Sequence, residues 1–237
     1  MAESPFPRIV PLGDRALVVE FGESIDPALS ARIAALAKRL RAGPPPGVHD
    51  IVPTYATLAL HYDPVAIGSD DPYGILAQQV EAWLADPAAD GEERGRRVEI
   101  PVCYGGEFGP DMAELARRHG LDEAQVARLH SAPEYHVHML GFVPGFAYLG
   151  GLDARLATPR RDSPRARVPA GSVAIGGGQT GIFPLETPGG WHLIGRTPLR
   201  LFTPDAEPPC LLNAGDKVRF VPIDAARFES LAGAPAP

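Results

Sequence analysis

The sequence predicts a small α+β domain followed by a mainly-β barrel domain. Three observations carry that prediction. Across the first ninety residues, short apolar runs alternate with two helix starts marked by Asp-Pro, at Asp26-Pro27 and Asp71-Pro72. Residues 86–97 are mostly Ala, Asp, Gly, Glu and Arg, with almost nothing to bury, and read as a linker. Beyond it, twelve of the 26 glycines fall between Gly141 and Gly195, separated by short apolar runs. Many short strands joined by Gly/Pro turns are the pattern of a barrel or sandwich.

The elements follow in order. Arg8 to Leu12 and Arg15 to Phe21 predict two strands around Gly13-Asp14, with Leu17, Val19 and Phe21 on one face. Asp26 caps a helix whose Leu29, Ile33, Leu36 and Leu40 share one side, and Gly43 ends it. Val48 to Pro53 and Ala56 to Tyr62 predict a strand pair. The helix after Asp71-Pro72 carries Leu76, Val80, Trp83 and Leu84 as its apolar stripe. This first domain is expected over residues 1–88, with helices packed on one sheet face. The second is expected over 97–232. It opens with a strand from Arg97 to Tyr104 and a helix from Pro110 to His119 closed by Gly120. A further helix, capped by Asp122 with Gln125 as its capping-box partner, runs to Leu129. Val173 to Ile175, Gly181 to Phe183, Trp191 to Ile194 and Lys217 to Ile223 supply strands. Residues 233–237 read as a frayed tail.

Composition excludes several classes. Hydrophobic residues make up 45% and charged residues 22%, which sets aside global disorder. The net charge of -7 argues against a general nucleic-acid binder. Two cysteines, Cys103 and Cys210, make no disulfide framework. No apolar run reaches the roughly 20 residues of a membrane helix, and the first residues lack a basic-then-apolar leader. The expectation is a soluble cytoplasmic protein.

Two stretches carry candidate chemistry. Arg155, Arg160, Arg161, Arg165 and Arg167 face a single acid, Asp162, across thirteen residues. Guanidinium forks match carboxylate and phosphate, so the cluster reads as a seat for an anionic substrate, or as a solvated or partner-docking face. Gly176-Gly177-Gly178-Gln179-Thr180-Gly181 reads either as a backbone cradle for an oxyanion or as a barrel turn that needs positive φ. It is neither a P-loop nor a dinucleotide fingerprint. His136 and His138 would point the same way on a strand, as a metal or acid/base pair or as a part-buried strand pair. No third ligand is assignable, so no metal is expected. His130 ends a helix, where its imidazolium would suit the dipole. Ser172 reads as a turn hydroxyl, since no nucleophile elbow is present.

Five blocks, read together, resemble a known family. They are Gly141 to Leu152 (GFVPGFAYLGGL), Pro159-Arg160-Arg161, Val168 to Ile175 (VPAGSVAI), Gln179 to Ile182 and Pro188 to Pro198 (PGGWHLIGRTP). With Gly13 to Leu17 near the start, they are similar to the B-subunit family of bacterial 5-oxoprolinase. That family is also labelled allophanate hydrolase subunit 1, and it includes a Kip-I-type inhibitor of a sporulation histidine kinase. The resemblance implies that the barrel is cyclophilin-like. It implies a partner, the C subunit of 5-oxoprolinase, with the A subunit completing an enzyme that opens 5-oxo-L-proline to L-glutamate at the expense of ATP. This chain alone would be inactive, and which of the three binds ATP is left open. On that reading Arg160, Arg161, Arg196, Gly176, Gly177 and Gly178 are candidates to bind substrate or phosphate, with Gln179 and Thr180 orienting substrate. Phe142, Phe146 and Tyr148 are candidates for an interface with a partner. The alternatives are a kinase inhibitor that needs only a protein surface, and a carboxyltransferase-like component acting on a urea-type amide. No catalytic residue is assignable, and here Gly177-Gly178 stands where the family has Ala-Gly.

Overall fold

The structure is a computed structural model that describes residues 6–24, 26–85 and 95–232. The chain divides into two compact units, residues 1–94 and 95–237. Residues 86–94 of the expected linker and the tail 233–237 lie outside the described residues.

The strands of the first unit are β1 (Arg8–Pro11), β2 (Ala16–Glu20), β3 (Val48–Pro53) and β4 (Thr57–Tyr62). They form one antiparallel sheet in the order β1-β2-β4-β3. Helices α1 (Pro27–Ala42) and α3 (Pro72–Leu84) cover one face. Each begins as its Asp-Pro pair dictates: Asp26 Oδ1 accepts from Ala28 N at 2.8 Å, and Asp71 Oδ1 from Gly74 N at 2.8 Å. Ile33, Leu36 and Leu40 of α1 and Leu76 and Val80 of α3 are buried against Leu17, Val19, Leu58 and Leu60. A third Asp-Pro start, Asp63-Pro64, opens a single turn, α2 (Pro64–Ile67), that the sequence reading passes over because it has no apolar stripe.

The second unit is built on seven strands: β5 (Arg97–Tyr104), β6 (Tyr135–Leu140), β7 (Ala147–Gly150), β9 (Ser172–Gly176), β10 (Gln179–Ile182), β12 (His192–Arg196) and β13 (Lys217–Pro222). They close into a barrel in the order β10-β7-β6-β13-β5-β12-β9. β5 and β13 pair in parallel and the other barrel pairs are antiparallel. Val102, Tyr135, Val137, Leu149, Val173, Ile175, Ile194 and Phe220 fill the interior with residues of α4 (Met112–Arg118) and α5 (Glu123–Ser131). The Asp122/Gln125 capping box is present in both directions, at 2.6 and 2.8 Å. A ribbon of β8 (Arg165–Val168) and β11 (Thr187–Gly189) accompanies the barrel. Because successive strand residues point to opposite faces, Ala174 and Leu193 leave the interior that Val173, Ile175 and Ile194 fill. They join Phe146, Val168, Phe183 and Trp191 in a second apolar cluster on the outer wall. The last described element is α6 (Ala225–Ala232), a helix that the sequence reading does not anticipate. No described helix is long and apolar enough to cross a membrane.

Candidate functional site

The triple glycine is first of all a hairpin. Gly176 pairs with Gln179, so Gly177-Gly178 form the two-residue turn between β9 and β10, and Gly177 takes a φ of 64°. Its N–H donates to the Thr158 carbonyl at 2.7 Å, and its own carbonyl accepts from Thr158 N at 3.0 Å. The Gly177 N–H is therefore spent within the chain, so of the two readings of this run the hairpin bears out the turn that needs positive φ, and Gly177 offers no N–H to an oxyanion.

The neighbouring glycines serve an aromatic ring. A Cβ on Gly176 would lie 2.6 Å from ring atoms of Trp191, and one on Gly181 would lie 3.2 Å from the same indole. Trp191 thus lies flat on two bare strands, with Phe146 edge-on at a centroid distance of 5.7 Å. Above it the segment from Thr158 to Arg165 is fastened at several points. The His192 imidazole is bonded through Nε2 to the Pro159 carbonyl at 2.9 Å. A carbonyl only accepts, so Nε2 carries the proton. Arg161 N donates to Gly190 O at 2.7 Å. The Arg161 and Arg165 guanidiniums both reach Asp111 Oδ1, at 3.1 and 2.6 Å, while Asp111 Oδ2 accepts from Leu193 N at 2.7 Å. Asp111 is 3% exposed. What this fastening presents is Arg160, whose Cζ lies 5.9 Å from the Trp191 ring centre.

The arginine candidates therefore separate by role. Arg161 is committed to Asp111. Arg196 donates through Nε to Ala170 O at 2.8 Å and holds the turn before β9. Outside the candidate set, Arg155 pairs with Asp153 and Arg167 with Glu186. Arg160 is left with its charge over an aromatic face.

Gln179 and Thr180 separate too, because adjacent strand residues point to opposite faces. Thr180 is fully buried. Its Oγ1 donates to Ala174 O at 2.9 Å and accepts from His130 Nε2 at 2.8 Å; His130 Nδ1 in turn accepts from the Tyr104 hydroxyl at 2.7 Å. Thr180 is a core hydroxyl and cannot touch a substrate, a correction to its expected role. His130 is also not an imidazolium: burial drives its pKa down to about 3. The same burial raises the Tyr104 hydroxyl well above its ordinary value.

Gln179 points the other way, to the outer wall. Thr180 pairs with Leu149 on β7, so the next pair places Gln179 beside Gly150. Gly150 in turn pairs with His136 on β6. A Cβ on Gly150 would lie 2.0 Å from His138 Nε2, so the His138 ring lies over Gly150 as Trp191 lies over Gly176. Gln179 thus stands between two glycines of adjacent strands, each roofed by a ring. The sequence reading sets the two histidines apart from the glycine run, and the barrel register brings them to one face. Asp111 is the other residue it misses. Its signal is an unmatched local excess of arginine, which calls for a buried acid elsewhere in the chain. Among the described residues no group of three His, Cys, Asp or Glu side chains is placed to hold a metal.

The interface candidates also divide. Phe142 is 61% exposed, with a φ of 67°, and Tyr148 is half-buried. Phe146 is only 2% exposed and lies among Phe142, Tyr148, Phe183 and Trp191, so it supports the surface rather than forming it.

An α+β unit and a closed barrel with a ring-covered outer wall define the class. The chain belongs to the family of the carboxyltransferase domain, subdomain C and D, which residues 7–212 match. It is 46% identical over 222 residues to the B subunit of 5-oxoprolinase from Bacillus subtilis (strain 168), spanning 91% of this chain and 92% of that one. It is also 46% identical to the protein of the same name from Escherichia coli O157:H7, over 89% of this chain and 94% of the relative. The crystal structure of TTHA0988 matches 94% of this chain with a TM-score of 0.78 and 40% identity. This chain spans 41% of the length of that protein.

Proposed function

We propose that the protein is the B subunit of a cytoplasmic, ATP-dependent 5-oxoprolinase, opening 5-oxo-L-proline to L-glutamate together with the A and C subunits. The likeness to two B-subunit relatives over about nine-tenths of the sequence supports the family reading. One observation carries the chemistry: Gln179 stands on the outer wall between two ring-roofed glycines, with Arg160 held above one of those rings. The proposed substrate is a five-membered lactam bearing a carboxylate. Its ring amide presents N–H and C=O on one edge. A primary carboxamide offers the complementary acceptor and donor side by side, and a guanidinium suits the carboxylate. The flat rings suit a flat substrate.

The described residues of this wall do not suit a triphosphate. The Gly177 N–H is spent, and Arg161 and Arg196 are committed to partners within the chain. We therefore assign ATP to one of the partner proteins. The exposed Phe142 is the surface feature we assign to contact with a partner.

The test is co-expression with the A and C subunits, assaying ATP-dependent glutamate release from 5-oxoproline with each of the three omitted in turn. Glutamate that appears with all three and vanishes without this chain supports the reading. No glutamate from a fully assembled complex overturns it, in favour of a histidine-kinase inhibitor or a different amide substrate.

A further inference from the structure

The 5-oxoprolinase reading leaves open which group moves the proton, and the barrel register answers it on the basis of that reading. We propose that His138, oriented by His136, is the general base and acid of the lactam-opening step at the Gln179 face. Three placements carry this. His136 pairs with Gly150 across β6 and β7, and the β7–β10 register, continued one residue beyond Thr180–Leu149, sets Gln179 on the other side of Gly150, so the three share the outer wall. The register shifts between Val137 and Met139, which makes His138 the bulged residue of β6, and bulges re-aim side chains. The bare Gly150 lets the His138 ring lie over β7, on the side of Gln179. The His136 ring meets it edge-on at a centroid distance of 5.1 Å.

Burial keeps both rings neutral: His138 is 3% exposed and His136 is half-buried. His138 is held neutral by burial and then by His136, with its pKa lowered to about 4. His136 is lowered by burial and then by Lys217, its neighbour on β13. The other ionisable groups on the neighbouring strands include Tyr135 of β6, Tyr148 of β7 and Arg219 of β13, and Glu134 beside β6 pairs with Lys217 and Arg97. His136 Nε2 is buried and finds no hydrogen-bond partner among the described residues. In the step, the oxygen of water bonds to the lactam carbonyl carbon and its proton passes to the His138 imidazole. The C–N bond then breaks and the same proton passes to the departing nitrogen. Water is consumed, and one acid and one amine are formed.

The experiment uses the assembled complex of this chain with the A and C subunits. His138→Ala is expected to lower kcat by on the order of 10²-fold or more, with KM changed little. Imidazole added to that variant is expected to restore turnover in proportion to its concentration, which a purely structural role would not produce. Gly150→Ala, whose Cβ takes the place of the ring, is expected to lower kcat while leaving the histidine intact. If His138→Ala assembles and keeps wild-type kcat, or loses activity that imidazole does not restore while Gly150→Ala is fully active, the proposal is overturned. In either case wild-type activity leaves the 5-oxoprolinase reading standing. A wild-type complex that releases no glutamate overturns both.

Discussion

His130 Nε2 lies 2.8 Å from Thr180 Oγ1, and what lies beyond each residue fixes the direction of that bond. The Ala174 carbonyl can only accept, so Thr180 donates to it and accepts from His130. His130 must then take the Tyr104 proton at Nδ1. The chain of bonds ends on a backbone carbonyl, so it locks α5 to the β9–β10 hairpin and conducts nothing.

This lock makes the second unit acid-sensitive. His130 has a folded pKa of about 3 against an ordinary 6.5, so between those values the unfolded chain binds a proton that the folded chain refuses. Stability is full above pH 6.5 and falls as pH drops toward 3, by on the order of 1 kcal/mol per pH unit inside that window. The lowered pKa values of His136 and His138 act in the same direction. Urea unfolding, followed by Trp191 fluorescence in a Trp83→Phe background, should show a lower midpoint at about pH 5 than at about pH 7. In His130→Gln the fall should be shallower, and an unchanged slope contradicts the assignment.

Much of this is legible in the sequence, and the misses have physical causes. The Asp-Pro caps, the capping box and the apolar stripes are local, and they form where the residues require them. Strand partners are long-range. No local signal shows that His136, Gly150 and Gln179 become neighbours, because barrel closure alone creates that row. Thr180 is different. Period-two alternation already forbids Gln179 and Thr180 from sharing a face, so the two cannot both orient one substrate. Phe146 has the sequence mark of an interface residue, an aromatic ring in an apolar run, but the bare Gly181 is what lets its ring sink into the wall.

Asp111 holds two arginines on one oxygen, so removing its charge strands both. Asp111→Asn should destabilise the protein by roughly 3 kcal/mol. That is the low end for a broken buried pair, because the guanidinium side chains keep 29% and 24% exposure. A thermal melt checks it. Asp153→Asn, which breaks the exposed pair with Arg155, should leave the melt unchanged.

Gly176 and Gly178 stand two apart, and only the first should respond to one added methyl group. Gly176→Ala drives Cβ into Trp191 and should cost about 1–3 kcal/mol, with a red-shifted Trp191 emission as the ring leaves its seat. Gly178 has nothing within 4 Å of its Cβ position, so Gly178→Ala should be silent in both measurements.

Phe142 keeps a left-handed backbone on an exposed ring, which costs stability in the isolated chain. Phe142→Gly should stabilise that chain by about 0.5 kcal/mol, the relief of strain exceeding the added entropy loss of glycine. The same change should weaken assembly with the partner proteins in size-exclusion chromatography. A variant that is more stable and assembles normally removes Phe142 from the interface.

Substrate binding at the outer wall around Gln179 and Arg160 is the point on which the functional reading turns. The most direct measurement is steady-state glutamate release by the complete complex carrying Arg160→Ala or Gln179→Ala, with assembly checked in the same preparations. Arg160 is exposed, and the Gln179 side chain points out of the core, so neither change should unfold the chain. Each change is predicted to cut kcat/KM by on the order of tenfold or more, as losing a charged or paired hydrogen bond to substrate would, while the complex stays together. Wild-type turnover in both intact complexes would contradict it.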